Sequence, residues 1–450
     1  MNMIDKAITH LQRSTMSLFS PTTLDDVSAE VTARLGERAG AVFRHCFADT
    51  LASTIEMRSD ATAFVVTGDI PAMWQRDSAT QLTPYLHFLQ DDHSLADTVA
   101  AVSRRQLANL CLDPYANAFN REANGHGHQN DHTDSSDWVW ERKYEIDSLC
   151  FPIQLAYDFW RITARTDHLV DFLRAARTVI EVLRTEQNHE VRSPYRFQRL
   201  DGPASDSLAR GGLGSLVQPN GLTWSGFRPS DDACVFGYNI PGNAFAATEL
   251  RHIADMAHEV FQDEDLAMQA ARLGEEIAAA VATHGTARTD DFGTVFCYET
   301  DGLGGALLMD DSNMPSLMSL PLMGWCDAGD ATYLATRKLI LSERNPYFYR
   351  GTAARGTGSP HTPEGTIWPI GLAVQALTSQ DSTEKEDILE MLVRTDAGTG
   401  FMHESFHKDD PSQFTRPWFS WANAMFCELA LDLAELRTYK RQPSKSQVEP

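Results

Sequence analysis

The feature of this sequence that most limits its possible folds is a helical repeat of apolar residues. Between positions 168 and 187, apolar side chains recur every three or four residues, a spacing that places them on one face of an α-helix. Similar stripes occupy 266–281, 367–377 and 421–436. The spacing therefore predicts a fold dominated by α-helices, each with one apolar face to bury.

Strand patterns are few and short, and the clearest lie at 63–66 and 293–298. No change of composition and no Pro- or Ser-rich linker divides the chain. We therefore predict one domain over 1–450, in which residues 438–450 form a polar C-terminal tail.

Six segments between the helical stripes are rich in Trp, His, Asn, Asp, Glu, Arg, Gly and Pro. These polar blocks span 68–78, 137–148, 226–243, 309–317, 356–369 and 401–421. One block in about 75 residues leaves room for about two average helices and their loops. Six helical hairpins arranged in a toroid, an (α/α)6 barrel with a few short β-strands in loops, would bring all six blocks to one end.

The charge of the chain limits its partners. The formal net charge is −24 at pH 7, which disfavours nucleic acids and anionic membrane surfaces and leaves neutral, polar or cationic ligands. The 42% of hydrophobic residues is enough for a large core. Apolar runs stay short of the roughly 18 residues that a membrane-spanning helix needs.

Cysteine usage indicates a reducing compartment. The seven cysteines are scattered, odd in number and never in CxxC spacing, which argues against a disulfide framework or a zinc site. The N-terminal segment mixes charged and apolar residues instead of forming an apolar signal core. We therefore interpret the chain as cytoplasmic, with reduced cysteines that fill the core as small apolar residues.

The composition of the polar blocks is typical of a carbohydrate site. Aromatic rings stack on the apolar faces of sugars, while carboxylates, amides and arginines bind their hydroxyls. Trp74, beside Arg76 and Asp77, is a candidate for such stacking, with a core position as the alternative. The GLGG run at 302–305 lacks the context of a dinucleotide fingerprint and is interpreted as a turn. A GxSxG nucleophile motif is absent from the sequence.

Carboxyl groups are the best candidates for catalysis. Glycoside hydrolysis needs one protonated carboxyl group to assist the leaving oxygen and one ionised group to activate water or attack the sugar. Asp231 and Asp232 are adjacent, and neighbouring like charges raise one carboxyl pKa, although Ser-Asp-Asp is equally a helix N-cap. Glu404, between His403 and Ser405, is a candidate base or a solvated loop residue.

Three other groups of residues have two interpretations each. The histidines of the GHGHQNDH run could bind a metal or line a polar loop, and their spacing fits no standard closed site. The DDSN run at 310–313 offers only part of a calcium ligand set. Glu145 and Asp147 follow Arg142 and Lys143 and could form a purely structural ion-pair network.

Taken together, the blocks resemble glycoside hydrolase family 125, the exo-acting α-1,6-mannosidases, over about residues 25–437. The matching runs are GDIPAMWQRDSATQ, VWERKYEIDSLCFPI, GFRPSDDACVFGYNIPGN, DDSNMPSLMSLP, GTGSPHTPEGTIWPIGL, HESF and FSWANAMFCEL. Their order along the chain makes the resemblance specific, since any one run alone would be weak.

The resemblance implies an (α/α)6 barrel and metal-independent, cofactor-independent hydrolysis of a terminal α-1,6-linked mannose with inversion. It implies Asp231 as general acid and Glu404 as general base, with carboxyl groups about 6.5–9.5 Å apart. It further implies a mannose-containing oligosaccharide as partner and a sugar pocket lined by Arg76, Asp77, Glu145, Arg228, Ser230, Asn239, His361 and Glu364. The loops at 125–136 and 203–220 are expected to tune the leaving-group side.

Other interpretations remain open on the sequence. Barrels of this class also act on other glycosides or use phosphate as acceptor. A metal-dependent mannosidase would use the histidine run or the DDSN run. A carbohydrate-binding protein would bind mannosides without turnover.

Overall fold

The structure is a computed structural model that describes Leu18 and residues 20–441. Over these residues the labelled α-helices are α1 Pro21–Leu35, α2 Glu37–Asp49, α3 Gln75–Thr80, α4 His93–Leu112, α5 Ile146–Thr163, α6 Phe172–Glu186, α7 His189–Arg192, α8 Ile240–Glu259, α9 Glu264–His284, α10 Ala331–Ile340, α11 Pro369–Leu377, α12 Ser382–Arg394 and α13 Ser420–Leu433. A further helical turn spans Ala209–Gly212. A π-helical turn follows α2, and a 3-10 helix, Thr83–Phe88, follows α3. Helices thus dominate the fold, as the apolar stripes predict.

The strands are short and occur in the connections between helices. They are β1 Ile55–Met57, β2 Ala63–Val65, β3 Met73–Trp74, β4 Ala118–Phe119, β5 Val139–Glu141, β6 Tyr238–Asn239, β7 Thr286–Thr289, β8 Gly293–Phe296, β9 Glu299–Thr300, β10 Ala306–Leu307, β11 Phe348–Arg350, β12 Arg355–Thr357, β13 Thr366–Ile367, β14 Ser405–His407 and β15 Phe414–Thr415. In the described residues they pair antiparallel in six separate sheets of two or three strands. The sheets stiffen the loops rather than form a layer of the core.

The helices pack against their neighbours in the chain and also against helices from distant parts of the chain. Helix α8 packs against its hairpin partner α9 and against α5, and α5 packs against α3 and α4. The last helix, α13, packs against α11 and α12 and also returns to α2 and α3 near the start of the chain. Their facing sides form one large core in which Phe43, Leu149, Phe245 and Leu429 are fully buried.

Side-chain caps fix where several helices begin. Asp92 accepts a hydrogen bond from Leu95 N at 3.0 Å, and Asp263 accepts one from Leu266 N at 3.1 Å. Asn239 caps α8 by accepting from Gly242 N at 2.8 Å. Each cap satisfies a backbone donor that the first turn of a helix leaves unpaired.

Most of the predicted elements are confirmed, with corrections at their ends. The stripes at 168–187 and 266–281 lie on α6 and α9, and the predicted strands lie on β2 and β8. Ile367 was expected on a helix but lies on β13, because Pro369 supplies the first helical position and starts α11 later. Leu436, expected on the last stripe, lies beyond the end of α13. The GLGG run is a turn, between β9 and β10.

The segment after α13 packs on the C-terminal halves of α5 and α13. Tyr439 Oη and Arg441 Nε donate to the fully buried Asp158 of α5 at 2.9 and 2.8 Å. Arg437 pairs with Glu428 and Asp432 of α13. Residues 438–441, predicted as the start of a polar tail, therefore pack on the helices, while 442–450 lie outside the described residues.

Two further findings bear on the composition argument. The seven cysteines are all free, and most are buried, as predicted. Among the described helices, none combines the length and the apolar character needed to cross a bilayer.

Candidate active site

A cavity of about 250 Å³ opens where the polar blocks meet. Five of the six blocks line it directly, through Ile70, Trp74, Arg76 and Asp77 from the first, Pro229, Ser230 and Asp231 from the third, Asn313 from the fourth, His361 and Trp368 from the fifth, and Glu404, Arg416, Phe419 and Trp421 from the sixth. Thr67, just before the first block, also lines it. The second block reaches it from behind, because Glu145 contacts Arg76. The prediction that the blocks gather at one place is confirmed.

The cavity lies at the N-terminal ends of several helices. Trp74, Trp368 and Phe419 are the residues that precede α3, α11 and α13, and Glu145 precedes α5. The first turn of a helix carries unpaired N–H groups and a partial positive charge, so polar side chains and ligands collect there. The short strands before these helices hold the connections in register: β3 pairs with β4, and β13 with β14.

Arg76 is the centre of the polar floor. Its side chain is only 3% exposed, and Nη1 donates to Glu145 Oε2 at 2.7 Å and to Asp147 Oδ2 at 2.9 Å. Nη2 donates to Asp231 Oδ1 at 3.3 Å, and the guanidinium lies 5.6 Å from the ring of Trp421. One buried cation thus fixes three carboxyl groups that come from two different blocks.

Asp231 occupies a strained turn. Its φ of 68° lies in the left-handed region, which residues with a Cβ adopt at a cost and which recurs at functional sites. The turn is held by Asp231 N donating to Arg228 O at 2.9 Å and Arg228 N donating to Asp232 O at 2.8 Å. Lys143 Nζ donates to Asp231 O at 2.7 Å. The next helix, α8, starts at Ile240 with Asn239 as its cap, so the N-cap interpretation of Ser-Asp-Asp is wrong.

The charges around Asp231 and Glu145 drive their pKa values apart. Burial raises the pKa of Asp231, but the positive charges of Arg76 and Lys143 outweigh it and hold that pKa well below its usual range. Burial raises the pKa of Glu145 well above its usual range; Arg76 opposes this and the negative charge of Asp231 adds to it. Of the two groups, Glu145 is therefore the one whose surroundings favour the protonated form.

Glu404, from the last polar block, borders the same cavity as Asp231. It lies just before β14, whose pairing with β13 and β15 anchors its backbone. Arg416 Nη1 lies 3.8 Å from Glu404 Oε1 and places a positive charge beside this carboxylate. Arg416 is itself held by Asp69 Oδ1, at 2.6 Å from Nη2, and its guanidinium lies 4.3 Å from the ring of Phe419.

Two other titratable groups border the cavity. Burial raises the pKa of Asp77 to about 6, against the positive charges of Arg76 and Arg416. Burial lowers the pKa of His361, but its hydrogen bond to Asp232 and the negative charge of Asp231 outweigh this and raise the pKa to about 9. His361 is therefore a cation at neutral pH, with a third of its side chain exposed.

The walls offer polar atoms that the protein leaves for a ligand. In the described part of the chain, Trp74 Nε1, Arg76 Nε, Ser230 Oγ and Trp421 Nε1 are buried without a hydrogen-bond partner. Buried donors are normally paired, and all four residues line the cavity. Donors, carboxylates and indole faces in one small cavity suit a sugar ring with its hydroxyls.

Four residues predicted to line the sugar pocket lie elsewhere. Arg228 Nε pairs with the fully buried Glu299 at 2.5 Å, and Asn239 caps α8. Glu145 is fully buried behind Arg76. Glu364 is exposed on the loop before β13 and is not among the residues that border the cavity. Trp74, Arg76, Asp77, Ser230, Asp231, His361 and Glu404 do border it.

Several cavity residues escaped the sequence reasoning. Arg416, Asn313 and Phe419 lie inside the polar blocks, so the composition of those blocks indicated the region. No local motif distinguished these three residues from their neighbours. Trp421 was assigned to the core because it lies on an apolar stripe; it is 1% exposed and also borders the cavity. Thr67 precedes the first block and carried no signal.

In the described residues, neither the histidine run nor the DDSN run is arranged to bind a metal ion. His126, His128 and His132 are exposed, and nowhere in residues 20–441 do three or more His, Cys, Asp or Glu side chains form a group that could hold a metal ion. In the DDSN run, Asp310 accepts from Leu317 N and Met318 N at 2.8 and 3.0 Å. Glu145 and Asp147 pair with Arg76 rather than with Arg142 or Lys143.

Comparison with known proteins agrees with this geometry. Residues 37–431 match the model of the metal-independent alpha-mannosidase family GH125. The chain is 38% identical over 440 residues to the meiotically up-regulated gene 157 protein of Schizosaccharomyces pombe, covering 93% of this chain and 86% of that protein.

One solved structure belongs to the same family, and a second shares only the fold. A metal-independent alpha mannosidase of Streptococcus pneumoniae, in a non-productive complex with α-1,6-mannobiose, is 44% identical with a TM-score of 0.91, covering 93% of this chain and all of that one. A bacterial glucoamylase bound to acarbose shares the fold at 12% identity and a TM-score of 0.59, covering 89% of this chain and 56% of that one. The chain therefore belongs to glycoside hydrolase family 125, the metal-independent alpha-mannosidases.

Proposed function

We propose that this α-mannosidase releases a terminal α-1,6-linked mannose with inversion of anomeric configuration, without a metal. The observation that carries the proposal is that Asp231 and Glu404, the two candidate carboxyl groups, border the same small cavity. The pneumococcal relative, solved with α-1,6-mannobiose, supports the linkage. A pocket of about 250 Å³ takes one sugar ring better than the middle of a chain, which supports exo action.

In this mechanism Asp231 is the general acid and Glu404 the general base. The Asp231 carboxyl group donates its proton to the glycosidic oxygen while the bond from that oxygen to the anomeric carbon breaks. A water molecule attacks the anomeric carbon from the opposite face and gives a proton to Glu404. The product is β-mannose, and we expect the two carboxyl groups to be about 6.5–9.5 Å apart so that the water fits.

The rest of the cavity would hold the sugar and stabilise the transition state. Asp77 and Arg76 are placed to bind hydroxyl groups, and the indoles of Trp74 and Trp421 offer N–H donors and apolar faces. The oxocarbenium-like transition state carries positive charge, which the carboxylates of the cavity favour. His361, a cation at the rim, would bind hydroxyls on the leaving-group side.

We further propose that the helices close into an (α/α)6 barrel. Five outer helices, α2, α4, α6, α10 and α12, each pair with an inner helix later in the chain, α3, α5, α8, α11 or α13, and only short helices lie between α6 and α8. The sixth outer helix, α9, is followed by the turns at 318–324. The return of α13 to α2 and α3 supports closure, and low-identity glycosidases share the fold.

We propose a cytoplasmic location for the enzyme. The free state of all seven cysteines supports a reducing compartment. Fractionation of the native cell tests this, and recovery of the protein outside the cytoplasm would overturn it.

The test is a proton NMR time course with α-1,6-mannobiose in the presence of EDTA. We expect β-mannose first, followed by mutarotation to the α anomer. Appearance of α-mannose first would mean retention, and the roles of the two carboxyl groups would then be wrong. Activity only after addition of a divalent cation or of phosphate would contradict metal-independent hydrolysis.

Substitutions connect the activity to the two carboxyl groups. We expect Asp231→Asn and Glu404→Gln each to lower kcat by at least about 100-fold, with the circular dichroism spectrum unchanged. Asp290→Asn, in the exposed turn between β7 and β8, is the matched control and should keep full activity. Binding of mannobiose without turnover by the wild-type protein would favour a carbohydrate-binding role instead.

A further inference from the structure

The floor of the cavity contains a pair of carboxyl groups, Glu145 and Asp231, of which the mechanism above uses only Asp231. Asn117 Nδ2 donates most closely to Glu141 Oε2, at 2.8 Å, and also lies 3.3 Å from both Glu145 Oε1 and Asp231 Oδ1, so one amide nitrogen contacts both members of the pair. Arg76 bridges the same pair on its other side, at 2.7 Å from Glu145 Oε2 and 3.3 Å from Asp231 Oδ1. The two carboxyl groups are therefore held together from two directions.

The charges of this cluster do not balance. Around the Arg76 guanidinium lie Glu145, Asp147 and Asp231, all within 3.3 Å, and Asp77 at 3.8 Å. Lys143 is shared with Asp206 at 2.8 Å, and the other nearby cations, His361 and Arg416, act on Asp231 and Asp77. Glu145 is fully buried, and a buried carboxylate without its own cation is costly. Such a group takes up a proton instead of staying charged.

We propose that Glu145 is a positioning residue that shares one proton with Asp231 and keeps the general acid supplied with it, rather than a residue that contacts the sugar. This inference rests on the proposed role of Asp231. The burial of Glu145 behind Arg76, away from the cavity wall, excludes direct contact with a sugar in this arrangement.

The surroundings of Glu145 favour its protonated form. Burial and the negative charges of Asp231 and Asp147 raise the pKa of Glu145 well above its usual range, against the charge of Arg76, and a side-chain hydrogen bond with Asp231 raises it further. The groups that face Glu145 are Arg76 from α3, Asp147 and Ser148 from α5, Asn117 before β4, Asp231 and Cys234 from the third polar block, and Tyr195. Lys143 acts on Asp231 instead.

Substrate binding would move the proton to the group that uses it. The Asp231 side chain is 23% exposed in the free protein. A sugar in the cavity would displace the solvent that contacts this carboxyl group and so raise the pKa of Asp231. The proton then passes from the Glu145 carboxyl group to an Asp231 oxygen, which leaves Glu145 ionised beside Arg76. Asp231 delivers this proton to the glycosidic oxygen, and one proton taken from solvent after product release restores the pair.

The test compares Glu145→Gln with Asp147→Asn, which removes a carboxylate from the same guanidinium but leaves the Glu145–Asp231 pair intact. For Glu145→Gln we expect the alkaline limb of the kcat/KM profile to move down by at least about one pH unit, because Asp231 then ionises beside Arg76 and Lys143. We expect kcat for α-1,6-mannobiose to fall by at least about tenfold more than kcat for a dinitrophenyl α-mannoside, whose leaving group needs no proton. Asp147→Asn should move the limb less and affect both substrates alike.

Other outcomes would overturn the proposal. An equal loss with both substrates and a raised KM would assign Glu145 to sugar binding or to the fold. Infrared spectroscopy of the wild-type protein at neutral pH gives a second readout that needs no active variant: we expect the band of a protonated carboxyl group that shifts when glutamate is ¹³C-labelled. A spectrum without that band would refute proton storage on Glu145. If the wild-type protein instead released no mannose, the proposed function itself would fail.

Discussion

Replacement of Arg76 by methionine tests whether one cation holds the floor of the active site together. Methionine fills a similar volume, so the packing loss is small and the change is mainly one of charge. Arg76 is 3% exposed and bonds Glu145 and Asp147 at 2.7 and 2.9 Å. Removal of one partner from a buried ion pair leaves its carboxylates uncompensated and costs about 3–5 kcal/mol.

This loss of stability corresponds to a measurable fall in Tm. At about 2.1 cal/mol/K per residue, the entropy of unfolding for 450 residues is about 0.9 kcal/mol/K, so Tm should fall by about 3–5 °C. Without Arg76 the pKa of Asp147 rises further in the folded state, and Asp231 loses the charge that most lowers its pKa. When the pKa of a carboxyl group is higher in the folded state than in the unfolded state, the group does not lower the free energy of unfolding below its unfolded pKa of about 4. Above that pH it lowers the free energy of unfolding by a growing amount. The gap between wild type and variant should therefore be larger at pH 7 than at pH 4.5.

The assay is urea unfolding and differential scanning calorimetry at both pH values. Arg174→Met is the control, because Arg174 is 65% exposed and pairs with Asp171 on the surface, where we expect no measurable change. A loss below about 1 kcal/mol for Arg76→Met, or a gap that does not depend on pH, would refute the reasoning.

Further predictions concern the C-terminal segment and the rim of the cavity. Arg441→Met should cost roughly 3 kcal/mol in urea unfolding, since it leaves the fully buried Asp158 with Tyr439 alone; Lys440→Met, 63% exposed, is the control, and equal losses would contradict this. The raised pKa of His361 gives stability that is fully present below about pH 6.5 and lost as pH rises through about 9. The urea midpoint of the wild type should therefore fall more between pH 7 and pH 9.5 than that of His361→Gln, and parallel curves would refute the ion-pair argument.

The sequence by itself determined the class of fold and the family. Apolar stripes of period 3.6 mark α6 and α9 because each helix buries one face, and this signal is local. The polar blocks were equally visible, since Trp, Asp, Arg and Gly cluster between helices where loops carry function. The order of their motifs indicated the family, and with it Asp231 and Glu404 as candidate acid and base.

Only the tertiary structure decided which polar side chains face the cavity. Arg76 meets Asp231 across 155 residues of sequence, and Arg416 meets Asp69 across 347. Arg228 and Asn239 lie in the same block as Ser230 and Asp231, yet packing places them away from the cavity, and Glu145 of the second block lies behind Arg76. Whether a side chain in a loop is buried, paired or open to a ligand depends on distant segments that converge at the helix N-termini, and local sequence carries no record of those distances.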